Sequence, residues 1–230
     1  MTSAYTRQML SNALDLPYSD GKPVDNEDQN LLPNLLRLLL TELWAERMDW
    51  FFGVDMGVYH TTGSNPRTSV VPDAFLSLGV ERKKEGKSRR SYATWDKGGV
   101  VPTFVLEMVS HQPGGEYDEK LNIYAALGVL YYVVYNPLFY QRDGHKPFEV
   151  YKLIAGQYQQ QTVEPCWMPE VGLGIGRHRG GVGGIQQEIL TWYDVEGKRH
   201  LSAAEKERER REQLEAFLRS QGFDPDNLPS

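Results

Sequence analysis

Val70-Val71-Pro72-Asp73 and, further along, Phe104-Val105-Leu106-Glu107-Met108-Val109-Ser110 each set one carboxylate against an apolar run. Strand side chains alternate between faces, so a charge within such a run is either paired inside the fold or emerges at a cleft. Two such acids suggest a metal site. If they lie on adjacent strands, they supply hard oxygen ligands that suit Mg²⁺ or Mn²⁺ rather than zinc.

Outward from these runs, the order of elements predicts an α/β (α+β) fold, a mixed central sheet with helices on its flanks. Asp25-Asn26-Glu27 caps a helix running to about Met48, in which Leu35, Leu36, Leu39, Leu40 and Leu43 recur at helical spacing. Strands follow at Phe51 to His60, Ser69 to Leu78 and Pro102 to Ser110. Glu116 to Leu127 is amphipathic and stops at Gly128, and Leu130 to Tyr135 is apolar enough for the centre of a sheet. Phe148 to Ile154 and Gln157 to Val163 form a hairpin turning at Ala155-Gly156. Short strands are expected near Glu170 to Ile175 and Glu188 to Tyr193, with Arg177-His178-Arg179-Gly180-Gly181 as a mobile hairpin. Ser202 to Ser220 alternates Glu with Lys/Arg and reads as a solvated helix or one that docks on a second protomer. The division is therefore one domain over 1–200, then a charged helix and tail over 201–230.

At 230 residues, 40% apolar and 24% charged, the chain supports one substantial core. The single cysteine, Cys166, excludes a disulfide framework and any Cys-cluster zinc site. The start lacks a basic-then-apolar secretory pattern. The longest apolar window, Leu31 to Trp44, is interrupted by Pro33, Asn34, Arg37, Thr41 and Glu42 and falls short of the roughly 20 residues of a membrane span. A cytoplasmic location and no membrane partner are expected. Gly172, Gly174 and Gly176 open no helix in the G-x-G-x-x-G manner, so no nucleotide cofactor is expected. His111, beside Gln112-Pro113, reads as a loop residue.

The net charge of −6 disfavours nonspecific attraction to a polyanion. One segment runs the other way: Arg82, Lys83, Lys84, Lys87, Arg89, Arg90 and Lys97 crowd the stretch between the two acid-bearing strands. These residues, from Arg82 to Arg90, are the candidate phosphate contacts.

Taken in order, Leu16-Pro17-Tyr18-Ser19-Asp20-Gly21-Lys22-Pro23, Pro72-Asp73, Leu106-Glu107-Met108-Val109-Ser110, Glu116 to Lys120, Tyr124, Gly128-Val129-Leu130-Tyr131-Tyr132 and Trp192-Tyr193-Asp194-Val195-Glu196-Gly197 resemble the Uma2 family (DUF820). That family is a branch of the PD-(D/E)xK nucleases, and the resemblance covers most of the chain. It implies a restriction-endonuclease-like fold and a metal-dependent endonuclease acting on phosphodiester bonds, most plausibly in DNA. In the commonest form of the superfamily a lysine stands two residues after the second acid, where this chain has Val109. The resemblance implies that Lys120, on the following helix, takes its place.

The implied site is Asp73 and Glu107 holding Mg²⁺ or Mn²⁺ and Lys120 stabilising charge at the phosphate. Glu116 either orients Lys120 or caps its helix, and Glu42 is a candidate third acid. A homodimer is expected. Singly these residues say little: Pro-Asp is a common turn signal, and Lys120 could pair with Glu116 on a wet face. Two other readings stay open, a non-catalytic interaction protein on the same fold and a metal-dependent hydrolase of a small phosphorylated substrate.

Overall fold

A computed structural model describes residues 26–60, 69–83, 86–95, 100–182 and 184–225. Helix α1 (Glu27–Leu43) starts where the Asn26 side chain accepts from the N–H groups of Asp28 and Gln29. It buries Leu32, Leu36, Leu39 and Leu40 along one face, each contributing about 1.5–3 kcal/mol by leaving water. It stops at Leu43, short of the expected Met48.

Six strands form the main sheet: β1 (Trp50–Val54), β4 (Ala74–Leu78), β6 (Phe104–Met108), β7 (Tyr131–Tyr135), β8 (Phe148–Ile154) and β9 (Gln157–Gln161). They lie side by side in that order. Only β6 and β7 are parallel, and a parallel pair needs a crossover, supplied by α2 (Glu119–Leu127). Gly128 adopts φ 88° and closes α2, donating its N–H to the Tyr124 and Ala125 carbonyls. Two small sheets complete the fold: β2 (Val58–Tyr59) between β3 (Ser69–Val70) and β5 (Tyr92–Ala93), and β10 (Cys166–Met168), β11 (Leu173–Val182) and β12 (Ile185–Tyr193). A one-turn helix, α3 (Tyr140–Asp143), follows β7.

Several expected boundaries move for local reasons. The strand expected over Phe51 to His60 is two, because Asp55 turns the backbone through φ 47°. Ser69 to Leu78 also divides: Ser69–Val70 pairs with β2, and the chain bends at Pro72-Asp73 before β4 joins the main sheet. Arg177 to Gly181 is no mobile hairpin but part of β11, paired with β12 through Gly181↔Gln186. Glu170 lies in a turn, and that strand begins at Leu173.

The sheet separates two cores. On one side α1 and the β10–β12 sheet cover Trp50, Leu76, Phe104, Leu106 and Val133, and Trp192 donates its indole N–H to the Leu36 carbonyl at 2.9 Å. On the other lie Phe75, Val105, Val109, Tyr124, Tyr132 and Val134. Alternation along β6 sends Phe104, Leu106 and Met108 to the first side and Val105, Glu107 and Val109 to the second, beneath α2. The last helix, α4 (Ala203–Ser220), is held at its start by a Ser202–Glu205 capping box and buries none of its residues. No helix among the described residues is long and apolar enough to cross a membrane.

Candidate active site

Asp73 occupies the bend before β4, and the β4–β6 register, Ala74↔Leu106, brings it level with Glu107. The Met108 N–H donates to its Oδ2 at 2.6 Å, which fixes the bend against β6. Its other side faces Glu107, whose carboxyl lies within hydrogen-bonding reach.

Glu107 is 1% exposed. Both of its oxygens are engaged from α2: the Lys120 ammonium donates to Oε2 at 2.8 Å and the Tyr124 hydroxyl to Oε1 at 2.6 Å. Lys120 and Tyr124 stand one helical turn apart, which puts both on the face of α2 that overlies β6. The helix thus delivers the lysine that the strand lacks at Val109. Lys120 Nζ is also 3.8 Å from Glu116 Oε1.

Glu116 is buried but does not cap α2, a task done by Asp118, whose side chain accepts from the Glu119 N–H. Its carboxylate instead accepts from the Gly114 N–H, at 2.9 and 3.1 Å to the two oxygens. A Cβ at position 114 would sit 2.6 Å from Glu116 Oε1, so a larger residue there would push this carboxylate aside.

Electrostatically the cluster is unbalanced. Burial and the neighbouring Glu107 carboxyl lift Asp73 well above the usual carboxylate range, against the pull of the Met108 N–H and Lys120. Burial raises Glu107 too, although Lys120 and Tyr124 oppose it. For Lys120 burial works downward, and Glu107, Glu116 and Asp73 outweigh it to keep the ammonium charged. Burial also drives the Tyr124 hydroxyl far up, so it remains a donor to Glu107. With Asp73, Glu107 and Glu116 ionised, one ammonium leaves two negative charges uncompensated, a surplus matched by one divalent cation. Asp73 and Glu107 present hard oxygen donors of the kind Mg²⁺ or Mn²⁺ takes, with substrate and water completing the shell. Among the described residues no group of three or more His, Cys, Asp or Glu is placed to hold a metal ion. Glu116 is turned to Gly114, so an ion held here would rest on Asp73 and Glu107.

The other candidates lie elsewhere. Glu42 is on α1, across the sheet, where its Oε2 accepts from the Ala203 N–H at 2.8 Å and tethers the start of α4. Arg82 and Lys83 follow β4 at the end away from Asp73. Arg82 stacks on Trp50 with its guanidinium carbon 3.5 Å from the ring centre, and Arg89 lies over Phe51. Lys87 and Arg90 are exposed, and Lys84 falls outside the described residues. Reading from the sequence missed Tyr124 as a partner of Glu107. The i,i+4 spacing of Lys120 and Tyr124 was the available signal.

Asp73 at the bend before β4, Glu107 on β6 and Lys120 from the crossover helix thus stand together in one cluster. The chain belongs to the Uma2 family, described as "Putative restriction endonuclease", whose model matches residues 5–177. A search of curated proteins finds no match. Among solved structures, one described as "a putative nuclease belonging to DUF820 from Anabaena variabilis" is similar at 12% identity, with a TM-score of 0.45 over 66% of this chain and 79% of that one.

Proposed function

We propose that the protein is a divalent-metal-dependent endonuclease that hydrolyses phosphodiester bonds in DNA. The observation that carries this is the Asp73–Glu107–Lys120 cluster, two carboxyl groups level with each other on the sheet and a half-buried ammonium donating to one of their oxygens. Asp73 and Glu107 would hold Mg²⁺ or Mn²⁺, which supplies Lewis-acid polarisation of the phosphate and a water acidic enough to attack. Lys120 places a positive charge where negative charge grows on the phosphoryl oxygens. Tyr124 fixes the rotamer of Glu107, and Glu116 keeps Lys120 protonated and aimed inward.

Family membership supports nuclease chemistry. The test is cleavage of plasmid DNA with Mg²⁺ or Mn²⁺, comparing the wild type with Glu107→Gln and Lys120→Ala. Loss of about 10²–10³-fold in each is expected, the scale on which one preorganised charge-stabilising group acts. Metal-dependent nicking that survives in both variants at equal purity would refute the assignment.

A further inference from the structure

Strand β1 is an edge of the main sheet, with β4 as its one partner there. Asp55 donates its N–H to the Asp73 carbonyl and Gly79 to the Asp49 carbonyl, so the odd-numbered residues of β1 bond inward to β4. By the alternation of an antiparallel ladder, Phe52 and Val54 turn their N–H groups outward. This edge borders a groove of about 280 Å³ lined by Arg37 of α1 and by Arg82, Lys83, Ser88 and Arg89.

The cations of this groove are unusual in what they lack. Arg82 spends the flat face of its guanidinium on the Trp50 ring, which leaves its in-plane N–H edge to point away from the ring. No described carboxylate pairs with Arg37, Arg82 or Lys83, and Lys83 Nζ donates to a neutral partner, Ser88 Oγ, at 3.0 Å. Burial, and after it the charge of Arg37, makes Arg82 less willing to hold its proton. Two guanidiniums with no carboxylate partner among the described residues, beside outward-facing N–H groups, offer charged donors to an oxyanion.

We infer that this groove binds the phosphodiester backbone of a nucleic acid, with Arg37 and Arg82 as the paired anchors and Lys83 beside them. The choice of ligand rests on the nuclease reading. The groove leads to the acids: from Trp50, under Arg82, to Val54 the strand covers roughly 13 Å at about 3.3 Å per residue, and Asp55 bonds to Asp73 at its end. A duplex seated here would be gripped upstream of the bond presented to Asp73 and Glu107. Despite the net charge of −6, the positive charge is thus concentrated on the edge that approaches the site.

Fluorescence anisotropy of a labelled DNA duplex across a salt series tests the groove, using the full chain silenced by Glu107→Gln, with and without Arg37→Glu or Arg82→Gln. Each second substitution is expected to weaken binding at least about tenfold at low salt. Each should also flatten the slope of log K against the logarithm of salt concentration by about 0.9 for every phosphate that the protein no longer neutralises. Arg37 is exposed, so Arg37→Glu should leave the thermal midpoint in place and separates binding from folding. Unchanged affinity and slope in Arg37→Glu overturn the groove, as does a silenced protein that binds no duplex. Preference for polyglutamate over duplex at equal ionic strength overturns it in favour of an acidic peptide. If the wild type cleaves DNA and the arginine variants cleave it equally well across the salt series, the groove fails and the nuclease reading stands. Arg37-dependent binding by a wild type that cleaves nothing preserves the groove and removes the nuclease reading.

Discussion

Glu107 and Glu149 occupy one row of the sheet, since Glu107 sits opposite Val134 and Val134 opposite Glu149. Both are buried, and both project to the same face. Around Glu149 the protein has closed every approach. The Lys146 N–H and Gln160 side chain donate to Oε1, the Tyr151 hydroxyl to Oε2 at 2.8 Å, and His145 Nδ1 lies 3.1 Å from the same oxygen. His145 is itself fixed by stacking on Tyr117 at 3.5 Å between ring centres. Glu107 has two donors and a carboxyl neighbour. One glutamate is saturated by donors, whereas the other is left with repulsion that only a proton or a cation relieves. Burial of an acid is thus no mark of function; an unbalanced local charge is.

The largest effect that separates the two acids is on stability. Glu149→Ala strips an acceptor from four donors at once and is expected to cost about 3 kcal/mol, within the range for breaking a buried charged network. Glu107→Gln keeps the shape, removes the charge that repels Asp73, and should cost less than about 1 kcal/mol while abolishing cleavage. Urea unfolding of both variants decides the matter. Equal losses would mean that Glu107 is also chiefly structural.

This contrast was only partly legible in the sequence. Asp73 and Glu107 could be placed because each interrupts or follows an apolar run, Lys120 only through the family resemblance, and alternation along Phe104 to Val109 already puts Glu107 on one face. Glu149 was not legible. Its partners come from the β7–β8 connection and from the next strand, and only the β8–β9 register, Tyr151↔Gln160, brings Gln160 beside it. Glu42 misled for the same reason: its helix was recognised, but the side of the sheet on which that helix lies is a tertiary fact. The breaks at Asp55 and Pro72-Asp73 were hidden because both flanks have strand-like composition. The basic residues could be read as a cluster, whereas Arg37 joins them from a separate helix, across a sheet edge that sequence spacing does not reveal.

The second effect concerns charge at Asp73. Its folded carboxyl binds a proton more tightly than the unfolded chain does, with the unfolded value near 3.8. Between the two values the folded state carries more protons, so the stability of the metal-free protein falls as pH rises through that window and levels off above it. Asp73→Asn removes the like charge while keeping an oxygen to accept from Met108 N–H. It is expected to raise metal-free stability at neutral pH and to flatten that pH slope. Excess Mg²⁺ should stabilise the wild type by about 2.7 kcal/mol at a hundred times Kd and leave Asp73→Asn unmoved. Thermal unfolding with and without the ion measures both. A destabilised Asp73→Asn would show that the carboxylate is balanced after all, like Glu149.

The smallest effect tests which of the two donors on Glu107 matters for what. Lys120 contributes charge as well as a hydrogen bond; Tyr124 contributes a hydrogen bond alone. Tyr124→Phe leaves the ring packed against Tyr132, at 5.1 Å between centres, and removes only the hydroxyl. The loss should be about 1 kcal/mol of stability, the net worth of one such bond. Because that bond favours the ionised form of Glu107, its removal pushes the carboxyl further up. The acid limb of the pH–rate profile therefore moves to higher pH, while the rate on the alkaline plateau falls less than about tenfold. Lys120→Ala, by contrast, should depress the plateau itself. A Tyr124→Phe enzyme whose plateau collapses while its acid limb stays fixed would place the hydroxyl at the reacting phosphate rather than behind the carboxylate. Glu107 would then be held in place by Lys120 alone, and the resemblance between its surroundings and the closed cage of Glu149 would be weaker still.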